Sequence, residues 1–393
     1  MSVARQRTVV HMSSSVTENT ASRSLASRLI SIDVMRGLTV AFMILVNNNG
    51  QNDQAYRQLN HSPWNGFTAT DLVFPTFLFI MGISLVLSIE ARLSKGFSAA
   101  SYITHTIRRF VILFLLGLVV NGFPFFHLGT LRIYGVLQRI ALCYLVASLL
   151  LLVERGVASK VGLLLLSLVG YWILMRWMPV PGYGVPGITF PILDNDVNLV
   201  AYIDRHIFPG RLFEGTRDPE GLLSTLPAIG STLIGMLAGM WLRSSRSAKE
   251  KLTGMNIAGI CLLVLGYLWG LSFPINKKLW TSSYVLFAAG WSLLILSACY
   301  YALEMKKWRG NWTFPWLVVG TNAITAYVLS ELLSTTVTVI KVRQESFQHY
   351  VYRSFFSHIV THAFGSLMYS ICFVIVCWIP VYVLYRKKIF IKV

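Results

Sequence analysis

The stretch LVFPTFLFIMGISLVLSI, residues 72–89, decides the fold of this chain. It has no charged side chain over a length that lets a helix cross the hydrocarbon core of a bilayer, which takes roughly 17–25 residues. Further apolar stretches occur, to within a few residues, at Val34–Asn47, Thr106–Asn121, Ile140–Val153, Val161–Met178, Leu222–Leu242, Ile257–Phe273, Tyr284–Leu303, Phe314–Ile340 and Phe364–Tyr385. We therefore predict an all-α, polytopic membrane protein with about ten transmembrane helices.

The composition agrees with a membrane protein. The 393 residues are 55% hydrophobic and 13% charged, whereas soluble domains carry about 25% charged residues. The net charge of +18 comes from Lys and Arg in short connections, where they orient the helices. We therefore expect a lipid bilayer as a partner, and no nucleic acid. The five cysteines lie inside apolar stretches without CxxC spacing, so we predict neither a disulfide nor a metal site.

The distribution of Lys and Arg predicts the orientation. These residues are concentrated before the first helix, after the even-numbered helices and at the C-terminus, which places both termini in the cytoplasm. We expect residues 1–27 to be a disordered cytoplasmic tail and residues 28–393 to form one transmembrane domain. The loops at about 48–67 and 179–221 then face outward. The first and fourth helices reach spanning length only if they include Arg36 and Arg139.

The loop after the first helix is the richest in polar chemistry. The segment Asn47–Pro75, NNNGQNDQAYRQLNHSPWNGFTATDLVFP, holds amide, imidazole and carboxylate groups at a density that a simple turn does not need. His61 offers a base, Trp64 an aromatic platform for the apolar face of a sugar, and Asn65 an amide for sugar hydroxyls. These residues are our first candidates for a site.

Asp71 has two interpretations. It follows Thr68 by three residues, which fits a helix-capping pattern. Alternatively, its carboxylate projects toward His61 and fixes the tautomer of the ring.

Charged residues within the helices also have two interpretations. Asp33 and Arg36 are spaced to pair on one helical face, Arg139 enters the fourth helix, and Glu331 lies in the ninth stretch near Asn322. Such groups are costly in a bilayer. They either neutralise one another as a structural network or line a pathway for a polar ligand.

Six segments together resemble the heparan-α-glucosaminide N-acetyltransferase family and its bacterial members. They occur in the family's order from about Arg28 to the C-terminus: RLISIDVMRGLTVAFMILVNN, HSPWNGFTATDLVFPTFLFIMG, RIYGVLQRIALCYLVA, DPEGLLSTLPAIGSTLIGMLAG, FPINKKLWTSSYVLF and YVLYRKKIFIKV. The resemblance implies an enzyme of the bacterial inner membrane that takes acetyl from cytosolic acetyl-CoA. It delivers the group to the amine of a glucosamine on the periplasmic side, needs no metal, and forms a homodimer.

The resemblance also assigns roles to residues. The active histidine of the H-x-x-W-N-G motif corresponds to His61, and the asparagine that closes the preceding helix corresponds to Asn47. With the loop candidates, the predicted catalytic residues are His61, Asn47 and Asp71. The predicted sugar-binding residues are Trp64, Asn65, Asp218 and Glu220. The residues predicted to bind acetyl-CoA are Asp33, Arg36 and Arg139.

Two chemical routes and two other functions stay open at this stage. His61 either carries the acetyl group or acts as the base while the amine attacks the thioester directly. Asn47 can stabilise the oxyanion in both routes. A transporter for N-acetylglucosamine or a related amino sugar is the main alternative, although paired broken helices are not evident in the sequence. A non-catalytic scaffold does not explain the many polar groups at helix ends.

Overall fold

The computed structural model describes residues 29–93, 98–154 and 156–391, so the predicted N-terminal tail lies outside the described residues. Its principal helices are α1 Ile30–Asn47, α2 Val73–Leu93, α3 Ala99–Gly122, α4 Val136–Val153, α5 Val157–Trp177, α6 Leu199–Ile207, α7 Thr225–Arg243, α8 Ala248–Gly270, α9 Ser282–Tyr300, α10 Phe314–Thr321, α11 Ala323–Val339, α12 Phe347–Val351 and α13 His362–Arg386. A two-residue hairpin joins β1 Lys341–Val342 to β2 Glu345–Ser346.

The predicted all-α membrane fold is confirmed. In the described part of the chain, nine helices are long and apolar enough to cross a membrane, and the bent pair α10–α11 makes a tenth. The first and fourth spans are 18 residues each because α1 includes Asp33 and Arg36 and α4 includes Arg139. The charged residues that flank the apolar stretches thus belong to α1 and α4, as expected for helices long enough to span a bilayer.

The ninth predicted stretch is not one continuous helix. It bends by 78° between α10 and α11 at Asn322, which leaves helical geometry with φ −125° and ψ 42°. The Asn322 amide donates to the Ile389 carbonyl at 3.3 Å and accepts from the Ile391 N–H at 3.1 Å. The C-terminal segment therefore satisfies the amide at the break. Glu331, expected beside Asn322, instead accepts a hydrogen bond from Asn47.

The connections after alternate spans meet at one end of the bundle. The loop of His61 contacts the connection before α9 through Asn65 and Asn276, whose side-chain amides lie 3.1 Å apart. It contacts the beginning of α13 through Gln51, whose N–H donates to the Ser366 hydroxyl at 3.2 Å. We call this end of the bundle the histidine end.

Helices α2 and α7 approach each other unusually closely. A Cβ atom added to Gly82 would lie 2.2 Å from the Thr232 carbonyl oxygen, and one added to Gly235 would lie 2.0 Å from that of Phe79. Only glycine permits this backbone contact. Because α2 follows the histidine loop and α7 follows the segment with Asp218 and Glu220, the contact brings these two polar segments together.

Candidate active site

His61 and Asp71 form a direct pair. The Nδ1 atom of His61 lies 2.7 Å from Oδ1 of Asp71. The imidazole is 43% exposed, whereas the carboxylate is fully buried. The pair therefore joins an accessible ring to an inaccessible carboxylate, as in sites where a carboxylate orients a working histidine.

Three donors hold the other oxygen of Asp71. Its Oδ2 atom accepts hydrogen bonds from the Ser62 N–H at 3.1 Å, the Thr68 N–H at 3.0 Å and the Thr68 hydroxyl at 3.0 Å. Both interpretations of Asp71 are therefore combined, since one oxygen organises the turn before α2 while the other contacts His61. Donors aimed at a carboxylate favour its charged form.

The contacts fix which ring nitrogen can react. An ionised carboxylate only accepts hydrogen bonds, so Nδ1 of His61 carries the proton and Nε2 carries the lone pair. Burial by the surrounding protein lowers the pKa of His61 below its usual 6.5, and the positive charge of Lys277 acts in the same direction. Asp71 and Glu220 oppose this shift without reversing it. The ring is therefore neutral near pH 7.

A pocket of about 420 Å³ opens beside the histidine. Its lining residues come from one loop and are Arg57, Asn60, His61, Ser62, Pro63, Asn65, Gly66, Phe67 and Thr68. Asn65 reaches the pocket, but its side-chain oxygen accepts a hydrogen bond from Asn276. The pocket has room for a small polar substrate next to the His61 side chain.

Trp64 fastens the histidine loop to the long connection between α5 and α7. Its indole N–H donates to the Leu193 carbonyl at 2.8 Å, and the Arg217 guanidinium lies 4.8 Å from the ring centroid. The Trp64 side chain thus has protein partners both at its indole N–H and over its ring. Its predicted role as a sugar platform stays a prediction.

Asp218 and Glu220 share one cation, Arg132. The Nη2 atom of Arg132 lies 2.6 Å from Asp218 Oδ1 and 2.6 Å from Glu220 Oε2, and its Nε donates to Asp218 Oδ2 at 2.8 Å. Burial alone would lower the pKa of Arg132, but the two carboxylates raise it above its ordinary value. Burial alone would raise the pKa of Glu220, but Lys277, Arg132 and Arg139 lower it to about 2. Glu220 is therefore ionised.

Arg139 lies in the first turn of α4 at the histidine end and is only 1% exposed. Its Nη2 atom donates to the Ser224 hydroxyl at 2.5 Å and to the Gly221 carbonyl at 3.1 Å. Its guanidinium stacks 4.9 Å from the centroid of a Trp280 ring. Among the described residues its Nε and Nη1 atoms have no hydrogen-bond partner.

The remaining predicted residues lie elsewhere. Asn47 is exposed at the end of α1, outside the histidine pocket, and its amide donates to Glu331 Oε1 at 3.3 Å. Asp33 and Arg36 form the predicted ion pair at 3.1 Å near the opposite end of α1. Arg36 also donates to the Gly320 carbonyl at 3.2 Å. The three residues predicted to bind acetyl-CoA are thus divided between the two ends of the bundle.

Sequence reasoning did not single out Arg132, Lys277 or Tyr284 as members of the site. Arg132 and Lys277 lie in quoted motifs but counted only as loop charges. Tyr284, in the same motif as Lys277, donates to the main-chain carbonyl of Asp71 at 2.6 Å. Their position within motifs shared with the family was the only available signal.

Comparisons with known proteins identify the relatives of this chain. The profile of the family described as "Heparan-alpha-glucosaminide N-acetyltransferase, catalytic" matches residues 28–268. Human heparan-alpha-glucosaminide N-acetyltransferase is 30% identical over 430 aligned positions, covering 94% of this chain and 60% of the human protein. The mouse protein of the same name is 29% identical over 432 positions, covering 94% of this chain and 61% of the mouse protein. The chain therefore spans about three fifths of the length of these relatives.

Proposed function

The chain belongs to the heparan-alpha-glucosaminide N-acetyltransferase family, and from this premise we propose that it is a transmembrane acetyltransferase. Its donor is acetyl-CoA from the cytosol, and its acceptor is the amine of a glucosamine-type sugar on the periplasmic side. The enzyme acts in the bacterial inner membrane and forms a homodimer. No metal takes part.

The observation that carries this proposal is the His61–Asp71 pair beside an open pocket. An amine attacks an acyl carbonyl only in its neutral form, so a base must take its proton. A neutral histidine with a free Nε2 atom suits that task.

Two routes balance the reaction. In the first, Nε2 of His61 attacks the thioester, the C–S bond breaks and CoA leaves as the thiolate; the sugar amine then attacks the acetyl-imidazole and the C–N bond to histidine breaks. In the second, the amine attacks the thioester directly while Nε2 takes its proton, the C–S bond breaks and CoA leaves as the thiolate. Both routes end with an amide, free CoA and one released proton.

The decisive assay measures CoA release by purified protein in lipid nanodiscs, with acetyl-CoA and glucosamine. We expect release that depends on the sugar, a loss of at least about 10²-fold in His61→Ala, and little change in His206→Ala. His206 is a suitable control because, in the part of the chain that the structure describes, its ring contacts the carbonyl and the ring of Tyr202 in its own helix. Full turnover in His61→Ala would contradict the assignment. Chitin fragments and envelope glycans, tested in parallel, identify the acceptor.

Intact-mass measurement separates the two routes. Protein mixed with acetyl-CoA without sugar gains one acetyl group in the first route, and the gain disappears in His61→Ala. In the second route the mass stays unchanged.

The bend at Asn322 favours a second candidate, a transporter of amino sugars, because transporters use broken helices. In such proteins the breaks come in pairs at corresponding positions of two repeats, whereas the described helices contain one bent pair. A transporter accumulates labelled sugar unchanged in vesicles without acetyl-CoA. The acetyltransferase instead consumes acetyl-CoA and modifies the sugar.

A further inference from the structure

The connection between α8 and α9 contains a rigid turn, residues 273–281, which we call the lysine turn. The Thr281 hydroxyl accepts from the Asn276 N–H at 3.0 Å and donates to the Pro274 carbonyl at 2.9 Å. The Asn276 side chain accepts from the Leu279 N–H at 2.9 Å. These bonds tie both arms of the turn together, so the backbone around it has little freedom.

The lysine turn is fastened to the loop that carries His61. The Gly66 N–H donates to the Ile275 carbonyl at 2.8 Å, and the Asn276 amide donates to the Asn65 side-chain oxygen at 3.1 Å. Lys277 is the next residue along the turn. Its backbone is thus held at a fixed position beside the histidine loop.

The two lysines of this turn have different surroundings. Lys278 pairs with Glu214, with Nζ 2.8 Å from Oε1. Lys277 has no ion pair within 4 Å among the residues that the structure describes, yet its charge acts on both His61 and Glu220. An ammonium group without a close partner, held among ionisable groups of a site, acts on them through its field.

We propose that Lys277 is a positioning residue of the site: the lysine turn holds its ammonium charge beside the histidine loop, where it counters the carboxylates around His61. The inference rests on the proposed acetyl transfer, because only that reaction gives the neutral ring a purpose. It adds a residue that none of the matched motifs assigns to a role.

Burial already favours the neutral form of His61, and the charged groups around the ring either oppose or support this effect. The charged groups that act on the ring are Asp71, Glu220 and Lys277, and Arg57 also lines the pocket. The two carboxylates favour the protonated imidazolium, which can neither take a proton nor attack an acyl group. The positive charge of Lys277 opposes this effect of the two carboxylates on the pKa of His61. Removing its charge leaves the carboxylates unopposed by the lysine and raises the pKa of His61.

The first test reads the protonation of His61 without any enzymatic turnover. Full-length protein with isotope-labelled histidine is titrated by NMR in lipid nanodiscs, and the His61 signal is identified by its loss in His61→Gln. We expect the midpoint to move to higher pH in Lys277→Met and to stay in place in Lys277→Arg and Lys278→Met. An unchanged midpoint in Lys277→Met overturns the proposal. Should that variant not fold, Lys277→Gln takes its place.

The second test is the pH dependence of acetyl transfer. The acidic limb of the rate profile follows His61, so it should move to higher pH in Lys277→Met, with about a tenfold loss of rate on that limb for each unit of displacement. Lys278→Met is the matched control and should keep the wild-type profile. An unmoved limb in Lys277→Met contradicts the proposal. If the wild-type protein transfers no acetyl group, the proposed function fails, while the NMR titration still judges Lys277.

Discussion

The Tyr284 hydroxyl donates a hydrogen bond of 2.6 Å to the main-chain carbonyl oxygen of Asp71. The bond joins α9 to the turn before α2 and leaves the Asp71 carboxylate free for its other partners. Asp71 is thus held through its backbone by one helix and through its side chain by the histidine loop. The precision of the His61 contact depends on both attachments.

Asp71→Asn should inactivate the enzyme while preserving its fold. An asparagine that directs its N–H toward Nδ1 forces the ring proton onto Nε2, the atom that must be free to react. We expect a loss of roughly 10²–10⁴-fold in kcat, measured as CoA release. Asp53→Asn is the control because Asp53 is exposed in the same loop and its carboxylate accepts from the Gln51 side chain. Comparable rates in both variants would exclude an orienting role for Asp71.

Arg132→Met should destabilise the protein strongly. It leaves the buried carboxylates of Asp218 and Glu220 without their shared cation, and breaking a buried ion pair costs about 3–5 kcal/mol. The melting temperature should fall in Arg132→Met. It should recover in large part when Asp218→Asn and Glu220→Gln are added. If the melting temperature does not recover when Asp218→Asn and Glu220→Gln are added, the unpaired carboxylates are not the cause of the destabilisation.

Asp204, a buried residue of α6 in the connection between α5 and α7, should make the stability of the protein fall as pH rises. Burial raises its pKa from 3.8 to about 7. Its raised affinity for a proton stabilises the fold fully at acidic pH, and this contribution is lost as pH rises toward the folded-state pKa. Asp204→Asn, which stays neutral, should therefore raise the melting temperature by several degrees at about pH 8 and much less at about pH 5.

The control for this prediction is Asp196→Asn, since Asp196 is exposed in the same connection. Its melting temperature should change little between the two pH values. Equal gains at both pH values in Asp204→Asn would show that the buried charge is not responsible.

Trp64→Phe separates packing from substrate contact. Phenylalanine keeps an aromatic face but loses the N–H that donates to Leu193. We expect a loss of about 1 kcal/mol in unfolding free energy with KM for the sugar nearly unchanged. Trp64→Leu, which removes the face as well, should raise KM if Trp64 is a sugar platform. A KM that is the same in both variants assigns Trp64 to structure alone.

The helices were predictable from the sequence because a bilayer requires long apolar stretches whose backbone groups are satisfied within the helix. The bend at Asn322 was not, since apolar residues continue on both sides and the polar partner comes from the distant C-terminal segment. The predicted stretches that begin at Thr106 and Ile257 start several residues after the true beginnings of α3 at Ala99 and α8 at Ala248. There, polar first turns belong to the helices but carry no hydropathy signal.

The candidate site was predictable where its partners are close in sequence. His61 and Asp71 are ten residues apart in one loop, so chemistry alone suggested their contact. Arg132 and Asp218 are separated by 86 residues, and Asn47 and Glu331 by 284. Which distant charges meet depends on helix packing, such as the glycine contact between α2 and α7, and composition does not encode it.

The attachment of Trp64 to Leu193 has a mechanical consequence. The connection between α5 and α7 is also held by Arg217 against the Trp64 ring and by Glu214 against Lys278. A segment anchored at several points is a wall of the site and not a lid, because lifting it would pull the histidine loop away from Asp71. We therefore expect substrates to enter through a standing opening, without a loop-opening step.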